Sequence, residues 1–183
     1  DIQDFFQSTR SQRVYDYFRA IGWSGEAADL LTRLCTYKGG LPQGAPTSPK
    51  LSNLVNYRLD ERLTAGMERF GGVYTRYADD ITISFATDDH RAVRRAIGLV
   101  ETILRDEGGY ETHQREKRHI RRRHQQQLVN GLVVNESVNL PRAMRRTLRS
   151  VRHHIATGRP ATMTQQEYDG WLAFYLMVLK QSE

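Results

Sequence analysis

The sequence has few of the features that mark secreted, zinc-binding or membrane proteins. It contains one cysteine, Cys35, so it can hold neither a disulfide framework nor a zinc site built on several cysteines. Its longest apolar run, residues 171–179, is much shorter than the roughly 20 residues that a membrane-spanning helix requires. No signal peptide, repeat or low-complexity segment is visible. We therefore expect a soluble protein of the reducing cytoplasm.

The charge of the chain indicates one class of partner. The 183 residues include 27 Lys+Arg and 21 Asp+Glu, which gives a formal net charge of +6. A basic surface suits a polyanion, and nucleic acid is the first to consider, although charge alone does not decide this. The length suits one domain. Because the chain opens at Asp1 without a Met, we expect the natural polypeptide to be longer.

Apolar residues recur every three or four positions in several segments, which predicts amphipathic helices. Ser24 is a predicted N-cap. The inward residues of its helix would be Ala27, Leu30, Leu31 and Leu34. Ser48 and Pro49 would open one long helix that continues to Met67. Another helix is predicted over residues 89–107. Its inward residues would be Val93, Ile97, Val100 and Leu104.

A period of two between residues 73 and 85 predicts a β-hairpin with its turn at residues 78–80. Residues 1–6 are apolar enough for a short buried strand, and residues 128–134 predict a further strand. After Pro141, a last helix would bury its aliphatic face and expose most of its arginines. Strands and helices together predict an α+β domain, an antiparallel sheet with helices packed on one face.

Three carboxylates are predicted to meet at one edge of this sheet. Asp1 belongs to the first strand, and Asp79 and Asp80 lie in the hairpin turn. Two such strands can be neighbours in an antiparallel sheet. Nucleotidyl transfer uses two divalent cations about 4 Å apart, and magnesium prefers hard oxygen ligands. Taken alone, the Asp-Asp pair is better explained as ordinary turn chemistry.

Longer segments resemble one enzyme family. Residues 77–80, Tyr-Ala-Asp-Asp, look like the YADD motif of bacterial reverse transcriptases. Residues 41–49, Leu-Pro-Gln-Gly-Ala-Pro-Thr-Ser-Pro, look like the LPQGAPTSP motif of that family, and residues 1–6 resemble its DIxxFF motif. Residues 129–135, Val-Asn-Gly-Leu-Val-Val-Asn, are similar to the VTGLVVN stretch of retron-type members, and residues 170–174 extend the similarity to the start of the thumb.

The resemblance implies an architecture and a cofactor. The fold would be the polymerase palm of a reverse transcriptase right hand that lacks most of its fingers and thumb. Residues 1–155 would form the palm, and residues 156–183 the connection to the thumb. Two Mg²⁺ ions would be bound by Asp1, Asp79 and Asp80, which would be both the metal ligands and the main catalytic residues.

The resemblance also implies where the nucleotide binds. The implied substrate-binding residues are Asp4, Phe5, Phe6, Gln43, Gly44 and Ala45. The ring of Phe6 would be a steric gate that excludes a 2′-hydroxyl and so selects dNTPs. Backbone N–H groups of Asp4 and Phe5 would face the triphosphate. Gln43 would lie against the incoming nucleotide. Without the motifs, Phe6 would be interpreted as a core aromatic and residues 39–49 as a simple connector.

Basic residues have a similar pair of interpretations. Lys117 falls where the family keeps a lysine near the triphosphate, a candidate proton donor to pyrophosphate. The other implied nucleic-acid-binding residues are Arg118, Arg121, Arg122, Arg123, Asn130, Arg142, Arg145 and Arg149. Such clusters suit phosphate contact along a template–primer duplex. Each is alternatively a solvated charge run. The six histidines have no spacing that fits a closed zinc site.

The implied activity is RNA-directed DNA synthesis from a structured non-coding RNA. A retron-type enzyme would prime from an RNA 2′-hydroxyl, leave a branched RNA–DNA product (msDNA) and act with an effector protein in antiphage defence. Residues 129–131, Val-Asn-Gly, depart from the family's Val-Thr-Gly, which is linked to recognition of its own RNA. Group II intron, CRISPR-associated and untemplated defence enzymes therefore stay open. A catalytically silent nucleic-acid-binding domain is the alternative from another class.

Overall fold

A computed structural model describes residues 1–113 and 118–181. The helices are α1 (Phe5–Ser8), α2 (Ser11–Ala20), α3 (Gly25–Cys35), α4 (Ser48–Val55), α5 (Tyr57–Glu68), α6 (His90–Gly108), α7 (Arg142–Ala156) and α8 (Gln165–Lys180). The strands are β1 (Gly72–Tyr77), β2 (Asp80–Phe85), β3 (Leu128–Val129) and β4 (Leu132–Val133). The chain divides into two compact units, Asp1–His119 and Ile120–Glu183. The predicted mixed α+β class is confirmed, with small antiparallel sheets.

The first unit is built around the β1–β2 hairpin. Its strands pair from Gly72 opposite Phe85 to Tyr77 opposite Asp80, which leaves Ala78 and Asp79 as the turn. Helices α5 and α6 pack on each other, and α5 packs on β1. The buried core that they share consists of Ile2, Phe5, Leu59, Leu63, Met67, Ala96, Val100, Ile103, Leu104 and Tyr110. The predicted hairpin is confirmed.

The first strand is shorter than the sequence predicts. Ile2 forms an isolated antiparallel bridge with Thr112, but Phe5 already begins α1. Between them, Asp4 adopts a left-handed conformation with φ of +45°, which turns the chain out of the extended direction. The prediction of a strand over residues 1–6 is therefore right only at its beginning.

Two helical predictions are wrong in part. The long helix predicted from Ser48 is interrupted at Asn56, whose side chain is fully buried, so α4 and α5 are separate. Ser24 does cap α3 by accepting a hydrogen bond from the Ala27 amide. However, α3 buries Ala28 and Thr32, whereas the leucines predicted to face inward, Leu30 and Leu34, are exposed.

Helix α6 confirms the predicted helix but not all of its inward face. Val100 and Leu104 are buried as expected, and the remaining buried residues are Ala92, Ala96 and Ile103. The predicted inward residues Val93 and Ile97 are only half-buried. The buried face therefore overlaps the predicted one but is centred roughly 60° away from it, towards Ala92, Ala96 and Ile103, at about 100° per residue.

The second unit contains a short hairpin and two helices. Residues 128–134, predicted as one strand, instead form both strands of the β3–β4 hairpin. Its turn, Asn130-Gly131, has positive φ at both residues, which is the conformation that Asn-Gly favours in two-residue hairpins. Helices α7 and α8 enclose a core of Leu140, Leu148, Val151 and Tyr168. Among the described residues, no helix is long and apolar enough to cross a membrane.

Candidate active site

Two of the predicted metal ligands, Asp1 and Asp79, lie on adjacent backbone segments. The Ile2 amide donates a hydrogen bond of 2.9 Å to the carbonyl of Asp79. On the other side, the Gln3 amide donates to Glu111 at 2.8 Å, and the His113 amide donates to the Asp1 carbonyl at 3.1 Å. Residues 1–3 are thus held between the hairpin turn and residues 111–113. Asp1 and Asp79 are both exposed.

Asp80, the third predicted ligand, is the first residue of β2 and pairs with Tyr77 across the turn. It is exposed like its two neighbours in the site. The donor set consists of carboxylates on fixed backbone, which fits the hard oxygen ligands that magnesium prefers. Within residues 1–113 and 118–181, no three His, Cys, Asp or Glu side chains converge closely enough to hold a metal ion. The backbone therefore places Asp1 next to Asp79, but the described side chains form no three-ligand cluster.

Helix α1 carries the residues predicted to contact the nucleotide. Phe5 is buried in the core, and Phe6 is half-buried with its ring centroid 5.6 Å from that of Phe5. Asp4, just before the helix, is exposed. The carbonyl of Phe6 accepts a hydrogen bond of 3.0 Å from the Leu41 amide. This bond joins α1 directly to the loop that contains Gln43.

The loop after Leu41 presents Gln43 and Gly44 to solvent and leaves Ala45 half-buried. Gly44 has φ of +85°, a conformation that glycine adopts without steric cost. The loop is closed at its end by Ser48, whose hydroxyl donates a 2.6 Å hydrogen bond to the Pro42 carbonyl. Ser48 was predicted as the N-cap, but it is the first residue of α4 and its buried hydroxyl secures the loop instead.

The predicted basic residues are spread over both units. Lys117 lies outside the described residues. Arg118, in the first unit, forms a 2.5 Å ion pair with Glu101, so part of its charge is already neutralised. In the second unit Arg121 and Arg123 are exposed and Arg122 is half-buried. Asn130 is exposed in the turn of the β3–β4 hairpin.

Helix α7 separates its arginines from its apolar residues, as predicted. Its exposed arginines are Arg142, Arg146, Arg149 and Arg152. Arg145 is different, because it is half-buried and its Nε atom has no hydrogen-bond partner among the described residues. Within residues 118–181, no carboxylate forms an ion pair with an arginine of α7. The exposed stripe therefore keeps its positive charge available for an anionic partner.

A buried ionic network that the sequence did not reveal lies below the hairpin turn. Arg76 on β1 donates from Nε and Nη2 to the two carboxylate oxygens of Asp60 on α5, at 2.8 and 2.6 Å. The Tyr74 hydroxyl donates to Asp60 at 2.7 Å. Arg76 also donates from Nη1 to the carbonyl of Ala78 at 2.8 Å. The signal in the sequence is the spacing of two between Tyr74 and Arg76, which puts both side chains on the same face of β1, the face that packs against α5.

The network shifts the pKa of two of its members. Burial, followed by the hydrogen bond to Asp60, raises the pKa of the Tyr74 phenol well above its ordinary value. Burial by itself lowers the pKa of Arg76, but the hydrogen bonds and the charge of Asp60 outweigh it, so the pKa of the guanidinium is raised. Both groups are therefore held in their protonated forms, as hydrogen-bond donors.

Comparison with known proteins decides the family. Residues 1–127 match the sequence family "Reverse transcriptase (RNA-dependent DNA polymerase)". The chain belongs to the reverse transcriptase family. It is 36% identical over 183 residues to the retron Ec86 reverse transcriptase of Escherichia coli, covering 100% of this chain and 55% of that protein. It is also 36% identical over 196 residues to the retron Mx65 reverse transcriptase of Myxococcus xanthus, covering 97% and 45%.

These matches confirm the predicted resemblance to retron-type bacterial reverse transcriptases. A third relative, the retron Mx162 reverse transcriptase of Myxococcus xanthus, is 32% identical over 211 residues and is matched by 97% of this chain. The chain spans about half the length of the curated relatives it matches, 55%, 45% and 43%. The activity, substrates and partners of the complete relatives are therefore proposals for this chain.

A second polar network lies in the interior of the first unit. The buried Tyr110 hydroxyl lies 2.8 Å from the Thr9 hydroxyl and accepts a 2.7 Å hydrogen bond from Arg13. It donates to Asn56 at 3.0 Å. One phenol thus links the end of α1, helix α2 and the break between α4 and α5. Sequence reasoning missed it, because Tyr110 lies 54 or more positions from each of its three partners.

Proposed function

We propose that this chain forms the catalytic palm of an RNA-directed DNA polymerase of retron type, which makes cDNA from a structured non-coding RNA. The observation that carries the proposal is the hydrogen bond between the Ile2 amide and the Asp79 carbonyl. It places two carboxylate-bearing residues from distant parts of the sequence side by side. The matching order of the family motifs along the chain supports the same reading. The palm would comprise residues 1–155, and residues 156–183 would lead into the thumb.

Asp1, Asp79 and Asp80 are the proposed metal ligands and catalytic residues. Two magnesium ions, when bound, would activate the attacking hydroxyl and neutralise charge on the triphosphate. The contribution of the chain is to carry Asp1 and Asp79 on adjacent backbone segments that are joined by the hydrogen bond from the Ile2 amide to the Asp79 carbonyl. Lys117 is the proposed proton donor to the leaving pyrophosphate.

The nucleotide would bind between α1 and the loop after Leu41. The bond from the Leu41 amide to the Phe6 carbonyl fixes the distance between the proposed steric gate, Phe6, and the proposed nucleotide contact, Gln43. Phe6 is held by the core on one side, so its ring cannot move away to admit a 2′-hydroxyl. The backbone of Asp4 and Phe5 would face the triphosphate, with Gly44 and Ala45 near the base pair.

Template and primer would be bound mainly through phosphates. Helix α7 offers a stripe of exposed arginines that form no ion pair within the described part of the chain, and Arg121, Arg122 and Arg123 add positive charge in the same unit. Such contacts supply affinity without reading sequence. Asn130 is the middle residue of the Val-Asn-Gly stretch and lies in the turn between β3 and β4. We propose that the cognate RNA is recognised at this turn. An effector protein and a role in antiphage defence complete the proposal, by similarity to the retron family.

The test is primer extension by the longest natural polypeptide that contains this chain, with dNTPs, Mg²⁺ and a DNA primer on an RNA template. Asp79→Asn should abolish extension, since it removes a charged ligand without changing shape. Asp29→Asn is the matched control, because Asp29 lies on the exposed surface of α3 in an ion pair with Arg33. Addition of candidate structured RNAs then distinguishes a retron enzyme from an untemplated synthase.

A catalytically silent nucleic-acid-binding domain is the second candidate. The observation that favours it is that, among the described residues, no three metal-ligating side chains converge. It predicts tight, salt-dependent binding of template–primer without extension on any template. Extension that is lost in Asp79→Asn and kept in Asp29→Asn would eliminate it.

A further inference from the structure

We infer that Arg76 is a positioning residue for Asp79: it ties the hairpin turn to α5 and so determines where the Asp79 carboxylate stands beside Asp1. The catalytic part of this inference rests on the proposed function. The structural part, that Arg76 fixes the backbone on which Asp79 is carried, stands on the contacts alone.

The Arg76 guanidinium donates hydrogen bonds in three directions. Nε and Nη2 bind both oxygens of Asp60, and Nη1 binds the Ala78 carbonyl at 2.8 Å. A planar guanidinium holds such donors in one rigid fork, whereas the single ammonium of lysine cannot serve a carboxylate and a carbonyl with the same geometry. The Arg76 side chain is only 3% exposed, whereas that of Asp60 is 32% exposed, so the pair is shielded from water mainly on the arginine side.

Asp60 is a firm anchor for the fork. It belongs to α5, where the neighbouring Leu59 is fully buried and Leu63, one turn further on, is fully buried as well. The Tyr74 hydroxyl donates a further 2.7 Å hydrogen bond to Oδ1 of Asp60. The carboxylate is thus held from the helix and from β1 at once. Because it also neutralises Arg76, the pair adds no net charge close to the catalytic carboxylates.

The contact to Ala78 acts directly on Asp79, since the Ala78 carbonyl and the Asp79 amide belong to the same planar peptide unit. The following peptide unit contains the Asp79 carbonyl, which accepts from the Ile2 amide. Both peptide planes that flank Asp79 are therefore fixed, one by Arg76 and one by the strand that carries Asp1. The direction in which the Asp79 side chain leaves the backbone follows from these two planes.

Arg76 also holds the turn in an unfavourable conformation. Ala78 has φ of +51°, in the left-handed region that is unfavourable for a residue with a Cβ atom. A turn under this strain relaxes unless its surroundings prevent it. The guanidinium in addition lies over the Phe5 ring, 5.1 Å from its centroid, next to the proposed steric gate. One side chain thus touches the turn, α5 and α1.

The structural test is hydrogen–deuterium exchange on the longest natural polypeptide that contains this chain, comparing wild type with Arg76→Lys and Asp60→Asn. In both variants, the peptides covering residues 1–4 and 77–81 should exchange about tenfold faster, because losing a charge-assisted hydrogen bond costs about 1.5 kcal/mol. The peptide covering residues 92–104 of α6 should be unchanged. Arg62→Lys is the matched control, since Arg62 on α5 also binds two carboxylates, Asp106 and Glu107, but on an exposed surface.

Unchanged exchange at residues 1–4 and 77–81 in folded Arg76→Lys would overturn the inference. Equal acceleration across the whole first unit would overturn it as well, because Arg76 would then be a general stabiliser. Should Arg76→Lys fail to fold, the milder Asp60→Asn decides between the same two outcomes.

Kinetics separate this inference from the proposed function. If wild type extends a primer, Arg76→Lys should lower kcat about tenfold while KM for template–primer stays within about twofold, because the change affects the transition state and not duplex binding. An equal kcat in both proteins would overturn the positioning role. If wild type shows no extension on any template, the proposed function fails, whereas local acceleration of exchange would still establish that Arg76 fixes Asp79.

Discussion

Tyr110 donates a hydrogen bond of 3.0 Å to Asn56, the residue at which α4 ends and α5 begins. Asn56 in turn donates from its side-chain amide to the Ser52 carbonyl at 2.8 Å, in the last turn of α4. The two bonds satisfy a fully buried amide at the point where the helix is interrupted. The break between α4 and α5 is therefore maintained by Tyr110, which lies 54 positions away from Asn56 in the sequence.

Replacing Tyr110 with Phe should destabilise the first unit by about 1–3 kcal/mol, because Oδ1 of the buried Asn56 and Nη1 of Arg13 both lose their hydrogen bond to the phenol. Urea denaturation measures the change in the free energy of unfolding. Tyr57→Phe is the control, since Tyr57 is 54% exposed and should tolerate the change. Equal stability of the two variants would show that Tyr110 acts through its ring alone.

Gly40 is predicted to be intolerant of a side chain. A Cβ atom at this position would lie 2.2 Å from the backbone carbonyl oxygen of Gln7, so α1 and the loop before Leu41 could not keep their spacing. Gly40→Ala should cost several kcal/mol, on the order of other overpacking changes against rigid backbone. Gly98→Ala, in α6 with nothing within 4 Å of the added atom, should instead stabilise by about 1 kcal/mol. Thermal denaturation of both variants checks the opposite signs.

Relief of strain at the hairpin turn should be measurable as well. Ala78→Gly removes the Cβ atom from a residue with φ of +51°, and we expect a gain of about 1 kcal/mol in stability. The same exchange in a regular helix, Ala65→Gly on the exposed side of α5, should lose about 1 kcal/mol. A loss in both variants would mean that the turn is not strained at Ala78.

The stability of the first unit should fall at high pH through Tyr74. The pKa of Tyr74 is raised in the fold, so the native state keeps its proton where the unfolded chain has lost it. The resulting stability is complete below the ordinary tyrosine pKa of about 10 and is lost as pH rises above it towards the folded value. Unfolding free energies at pH 8, 10 and 11 should decline more steeply in wild type than in Tyr74→Phe. Parallel curves would contradict the buried network.

The sequence predicted what depends on local pattern. The β1–β2 hairpin follows from a period of two around a turn, and the adjacency of Asp1 and Asp79 follows from placing the first strand beside it. The break at Asn56 could not be predicted, because a distant phenol satisfies the amide that interrupts the helix. The β3–β4 hairpin was predictable from Asn130-Gly131 but was missed because one apolar run spans both strands.

Tertiary packing decided the remaining differences. The inward face of α3 is set by its contact with α2, which selects Ala28 and Thr32 and leaves Leu30 and Leu34 outside despite their hydrophobicity. The Arg76–Asp60 pair depends on α5 lying against β1, which no spacing in the sequence reveals. The contacts that sequence alone could not supply are those that hold the candidate site, while the motifs name the residues that we propose for the chemistry.

The arginine stripe of α7 should determine the salt dependence of nucleic-acid binding. Arg146 and Arg149 are exposed and have no carboxylate partner among residues 118–181, so each can release one counterion from a phosphate. The double variant Arg146→Ala/Arg149→Ala should lower the slope of log K against log salt by about 1.8, at about 0.9 per contact on duplex.

The control Arg33→Ala removes an exposed arginine of α3 that is paired with Asp29 and should leave the slope unchanged. The measurement is the binding of a fluorescent template–primer duplex at salt concentrations from about 50 to about 200 mM, where counterion release dominates the salt dependence. An unchanged slope in the double variant would mean that the stripe faces solvent and that the duplex lies elsewhere.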